Sequence, residues 1–67
     1  MNEKILSKVI EQANKTNDGH FTLMKFTTNW RACYGTPNDR FDIDGMVEGK
    51  TADDALLNLL ANPVYVK

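Results

Sequence analysis

Ile5, Leu6, Val9, Ile10 and Ala13 recur at i, i+1, i+4, i+5 and i+8, the stripe of an amphipathic α-helix over residues 2–14. Asn2 is placed to cap its start, and Glu3 and Lys15 suit the two ends of the helix dipole. The polar run Thr16-Asn17-Asp18-Gly19 predicts where it stops. His20 to Thr28 then reads as a strand, from its Phe and Thr residues, and Trp30 to Thr36 as a second. With Thr28-Asn29 as a two-residue hairpin turn, Thr27 faces Trp30, Lys25 faces Ala32 and Leu23 faces Tyr34. Those residues share a face with Phe21, and Thr22, Met24, Phe26, Arg31 and Cys33 occupy the other.

After a turn at Gly35 to Asp39, the alternation of Phe41 and Ile43 with Asp42 and Asp44 predicts a third strand over Arg40 to Val47. Thr51 is placed as the cap of a last helix, with Asp53 and Asp54 in its first turn and Ala55, Leu56, Leu59 and Leu60 on its buried stripe. Asn62-Pro63 ends it, because proline lacks an amide donor and restricts its predecessor. Val64-Tyr65-Val66 fits either a short added strand or a frayed tail. The expected fold is α+β, one domain over residues 1–67: a three-stranded antiparallel sheet with two helices packed on one face, in the order α-β-β-β-α. Neither short helix is stable alone in water, so each must bury its stripe on the sheet.

Composition narrows the functional classes. At 67 residues the chain has room for one small core and none for a dinucleotide fold or a deep substrate cavity. The formal net charge of −1 argues against a dedicated nucleic-acid binder, which needs cations to neutralise phosphates. The imbalance is local. Residues 1–37 carry five basic and three acidic side chains, and residues 38–67 carry three basic and six acidic ones. One cysteine, Cys33, forms neither an internal disulfide nor a four-cysteine zinc site, which favours a reducing cytoplasm. The N-terminal residues alternate charge with apolar side chains, unlike a secretion signal, and no apolar run approaches a membrane span.

Candidate chemistry is sparse. In the two-residue hairpin Cys33 pairs with Met24, four residues and on the order of 13 Å from His20, whereas proton transfer needs about 3 Å. Asp42, Asp44 and Gly45 sit like calcium-loop ligands, but Arg40 and Thr51 stand where that loop requires Asp and Glu. Gly49-Lys50-Thr51 echoes a phosphate loop, but Asp44 replaces its earlier glycine. The expectation is therefore no enzyme, no cofactor and no metal. Two surfaces remain. Mixed apolar character on both sheet faces leaves aromatic area exposed, which with arginine suits an interaction surface carrying Trp30, Arg31 and Tyr34. The acidic edge at Asp39, Asp42 and Asp44 suits a basic partner.

The α-β-β-β-α order resembles the double-stranded-RNA-binding domain, a family that grips phosphates with a lysine-rich start of its second helix. Here that position holds Thr51-Ala52-Asp53-Asp54, so the likeness implies the fold without the activity. The stretch Gly49-Lys50-Thr51-Ala52-Asp53-Asp54-Ala55-Leu56-Leu57-Asn58-Leu59 resembles the strand-to-helix signature of HicB-type antitoxins. Phe26-Thr27-Thr28-Asn29-Trp30-Arg31 through Gly35-Thr36 to Gly49-Lys50-Thr51 is similar to small phage and prophage proteins over roughly residues 19–60. That setting, with the size and the acidic edge, implies an inhibitor that blocks a host defence or nucleic-acid-handling complex, of the anti-CRISPR kind, in the host cytoplasm. The alternative is a small nucleic-acid-binding or antitoxin-like regulatory domain, with Lys25, Arg31 and exposed aromatics stacking on single strands.

Overall fold

A computed structural model describes residues 2–16 and 18–66; Asn17 of the first expected turn, Met1 and Lys67 lie outside the described residues. The chain forms α1 (Glu3–Thr16), β1 (Phe21–Lys25), β2 (Trp30–Tyr34), α2 (Arg40–Asp44), β3 (Val47–Gly49) and α3 (Ala52–Ala61). The strands make one antiparallel sheet in the order β1-β2-β3, which is the α+β layout expected from the sequence. The helix count differs, because a third short helix stands where a strand was predicted.

Both long helices are capped as their residues require. Asn2 Oδ1 accepts from the Lys4 amide at 2.9 Å, and Thr51 Oγ1 accepts from the Asp54 amide at 3.1 Å. The Asn2 amide donates to Asp53 Oδ1 at 2.9 Å, so the two helix starts meet. Leaving α1, the chain turns through Asp18 and Gly19 at positive φ, and the Gly19 amide returns to the Ala13 carbonyl. Val9 and Ala13 of α1 then bury with Ala55, Leu56 and Leu59 of α3 against Ala32 and Tyr34 of β2. Phe21, Leu23, Trp30 and Val47 complete this first core from the same sheet face.

The hairpin turn is longer than expected. Lys25 faces Trp30, Leu23 faces Ala32 and Phe21 faces Tyr34, a register two residues away from the one read from sequence. The loop Phe26-Thr27-Thr28-Asn29 closes with the Phe26 amide donating to the Asn29 carbonyl at 2.7 Å. A slip of two preserves side-chain parity, so the membership of each sheet face is as predicted.

Arg40 to Asp44 is a helix, correcting the third strand expected over Arg40 to Val47. The observed β3 begins only at Val47, with Trp30 facing Gly49, Arg31 facing Glu48 and Ala32 facing Val47. The cause is local and tertiary together. Asp39 caps α2 by accepting from the Asp42 amide at 3.0 Å, and Asp42 reaches back to the Asn38 amide at 2.9 Å. The helix and the turn after it bring Ile43 and Met46 onto the sheet face away from α1 and α3. There they pack with Cys33, Met24 and Val66 as a second, smaller core.

The C-terminal segment is an added strand at a single bridge. The Tyr34 amide donates to the Val64 carbonyl at 2.8 Å, the Val66 amide donates to the Tyr34 carbonyl at 2.9 Å, and Tyr65 pairs parallel with Tyr34. It extends the edge of β2 that β3 occupies at the other end, and it seals the second core with Val66.

Candidate functional site

Trp30, Arg31 and Tyr34 do not form one surface. Trp30 and Tyr34 lie on the face beneath α1 and α3, and Tyr34 is fully buried, stacked on the Tyr65 ring at 5.2 Å. Burial, with Tyr65 adding, raises the Tyr34 phenol above its ordinary pKa. Trp30 is half-buried against the first core, with Lys25 Nζ 5.9 Å from its ring. Arg31 lies on the opposite face. The expectation of an open docking face on the sheet is therefore corrected. One face is covered by two helices, and the other in part by α2 and the C-terminal segment, with Cys33 fully buried beneath them and Thr22, Met24, Phe26 and Arg31 half-buried.

Arg31 holds α2 in place. Its Nη1 donates to the Ile43 carbonyl at 3.0 Å and lies 3.6 Å from Asp44 Oδ1, and its Nη2 lies 3.3 Å from Glu48 Oε1. The guanidinium stacks 4.8 Å from the Phe26 ring, and Asn29 Nδ2 donates to the same Glu48 oxygen at 2.7 Å. Exposed ion pairs of this kind contribute about 0–1 kcal/mol each. The carbonyl bond and the ring contact give the arrangement its direction, because a planar guanidinium satisfies both at once.

With Ile43 turned to the sheet, the helical rotation of about 200° over two residues directs Phe41 away from it. Phe41 is 85% exposed, the most exposed of the large hydrophobic side chains among the described residues. Asp39 and Asp44 flank it and are exposed, and Asp42 is half-buried. The acidic residues singled out by sequence thus come together on α2, and each also serves the structure, since Asp39 caps, Asp42 closes the turn and Asp44 pairs with Arg31. Phe41 was missed as a site residue because strand alternation put it on the same face as Ile43, opposite the aspartates. The signal that identifies it is Asp39 three residues before Asp42, a helix-capping spacing.

Cys33 and His20 are nearer in the observed register than in the expected one, since Cys33 faces Thr22. The thiol is nevertheless the opposite of an activated nucleophile. Burial above all, then the Asp42 carboxylate, pushes its pKa up, and the Thr22 hydroxyl offsets part of this. Its sulfur approaches the Gly35 carbonyl at 3.9 Å, and His20 is exposed. Among the described residues no group of three His, Cys, Asp or Glu side chains has the arrangement of a metal site. Among the described residues no helix is long and apolar enough to cross a membrane.

The arrangement defines a small α+β protein with one sheet face covered by two helices, the other partly covered, and a short acidic helix presenting one aromatic ring. No protein-family model, curated protein or solved structure matches the chain.

Proposed function

We propose that this chain is a non-enzymatic interaction protein that docks through α2 onto a basic surface of a partner protein, with Phe41 as the anchor and Asp39, Asp42 and Asp44 as the charged rim. The carrying observation is Phe41, a large aromatic side chain 85% exposed on a short helix that Arg31 ties to the sheet through the Ile43 carbonyl and Asp44. An aromatic centre within a charged rim is the usual makeup of a protein–protein contact. The acidic rim selects positive surfaces, and those that handle nucleic acid are rich in them. Occlusion of such a surface on a host defence or nucleic-acid-handling complex is the mechanism we assign. The phage setting rests on the resemblance of residues 19–60 and on size.

The nucleic-acid-binding alternative has less support, because its two cations are already engaged. Lys25 bonds the Phe26 carbonyl and stands over Trp30, and Arg31 serves Asp44 and Glu48. The test is capture from bacterial lysate by immobilised wild type, Phe41→Ala, and a triple variant with Asn at Asp39, Asp42 and Asp44. Asn keeps the cap at position 39 while removing its charge. The proposal expects a protein that wild type retains, that both variants lose and that high salt releases. Retention by both variants overturns it, as does a shift of labelled oligonucleotides by wild type in a gel.

A further inference from the structure

The second surface with unmet bonding capacity is the outer edge of β1. The bonds from Gly35 N to His20 O (3.0 Å) and from Phe26 N to Asn29 O (2.7 Å) bracket the β1–β2 ladder and fix its parity. Even-numbered residues of β1 exchange bonds with β2, so Phe21, Leu23 and Lys25 direct their N–H and C=O groups outward. The other side of the ladder agrees. Tyr34, which faces Phe21, turns its own amide and carbonyl away from β1 to Val64 and Val66. Among the described residues, no side chain or backbone group bonds the outward groups of Phe21, Leu23 or Lys25.

Proteins ordinarily guard such an edge with proline, a bulge, an inward charge or a covering loop. β1 has five regularly paired residues, no proline and one charge, Lys25 at its last position. Phe21 and Leu23 remain half-buried although they belong to the core-facing side.

We infer that β1 pairs antiparallel with β1 of a second copy of this chain, in a two-fold register centred on Leu23. In that register Leu23 faces Leu23, and Phe21 of each copy faces Lys25 of the other. Three outward residues on each copy then supply six donors and six acceptors, and all of them are satisfied in six bonds. The strand is self-complementary in charge, because its single cation meets a phenyl ring and never the other cation. On the reverse face Thr22 comes beside Met24 with no charge on either. The product is a closed two-fold dimer with a continuous six-stranded sheet. Its interface is separate from α2, so loss of partner capture and loss of self-association are independent results.

The test is the mass in solution by sedimentation equilibrium of the full chain. Wild type is expected to approach twice 7.6 kDa with rising concentration. Lys25→Pro removes an outward donor and sets a ring against the second copy without touching the β1–β2 ladder. It is expected to remain at the single-chain mass. Lys25→Ala keeps the donor and is expected to dimerise. A synthetic chain N-methylated at Leu23 deletes the central outward donor, keeps the side chain and is also expected to be monomeric, which protects the test if the proline variant unfolds. A wild-type monomer at the highest soluble concentration overturns the inference. So does a dimer that survives both the proline and the N-methyl changes, or a β1 edge that takes up an extended segment of another protein while the chain stays single.

Discussion

Gly49 and Ala55 meet backbone to backbone. A Cβ built on Gly49 would stand 2.2 Å from the Ala55 nitrogen and 2.6 Å from the Asp54 carbonyl carbon. β3 can lie under the first turn of α3 only because position 49 has no side chain. Asn58 Nδ2 adds a bond to the Glu48 carbonyl at 3.0 Å across the same joint. Since the obstructing atoms are helix backbone, they cannot rotate away. Gly49→Ala is expected to destabilise the fold by about 3 kcal/mol, the upper part of the usual overpacking range. In urea this reads as a lower midpoint at unchanged slope. An unchanged midpoint would mean that α3 does not rest on β3 as described.

Tyr34 is fully buried, and its hydroxyl has no protein hydrogen-bond partner. Leaving such a group unpaired costs about 1–3 kcal/mol. Tyr34→Phe keeps the ring and its stacking on Tyr65, and is expected to be neutral or to stabilise by about 1 kcal/mol. Tyr34→Ala, which empties the ring site, is expected to cost about 3–5 kcal/mol. A clear loss of melting temperature in the Phe variant would show that the hydroxyl is bonded.

Cys33 and Tyr34 both ionise less readily in the folded chain than outside it. A raised folded pKa gives stability that is complete below the unfolded pKa and is lost as pH climbs toward the folded value. Stability should therefore be insensitive to these groups at neutral pH, decline above about pH 9 as the unfolded thiol ionises, and decline further above about pH 10 as the unfolded phenol does. Urea midpoints across this range, for wild type and Cys33→Ala, check the sign. The variant should lose the first part of the decline. A rise in stability over the same range would contradict the burial of both groups.

Arg31 fixes α2 through the Ile43 carbonyl and the ring of Phe26. Arg31→Met keeps an apolar stem but removes the donors, and is expected to cost about 1–2 kcal/mol. The loss should be local. Amide exchange is expected to quicken at Ile43, Gly45 and Met46, which bond within the α2 turn, while amides of β2 bonded to β1 stay protected. Uniform acceleration through the sheet would show that the arginine supports the whole fold and not α2 in particular.

Sequence carried the long helices because their stripes and caps are local signals, and Asn2 and Thr51 cap as their residue types imply. It carried the sheet faces but not the register, since parity depends on alternation and register on loop length. The α2 segment failed for a physical reason. Over Arg40 to Asp44 the apolar spacing is that of a strand, and it is overridden by the Asp39 cap together with the need of Met24 and Cys33 for a cover, which is a tertiary fact. The same misreading hid Phe41; Tyr34 was promoted instead by the mixed hairpin faces, and its burial by both long helices and the C-terminal segment is announced by no local pattern.

The most direct measurement of the docking account is the affinity of the captured partner for wild type against Phe41→Ala, by calorimetry, alongside the melting temperature of each. Phe41 is 85% exposed, so its truncation should leave stability within about 0.5 kcal/mol. As the anchor of the contact it should cost about 2 kcal/mol of binding, close to thirtyfold in Kd. Equal affinity of the two chains at equal stability would contradict the account.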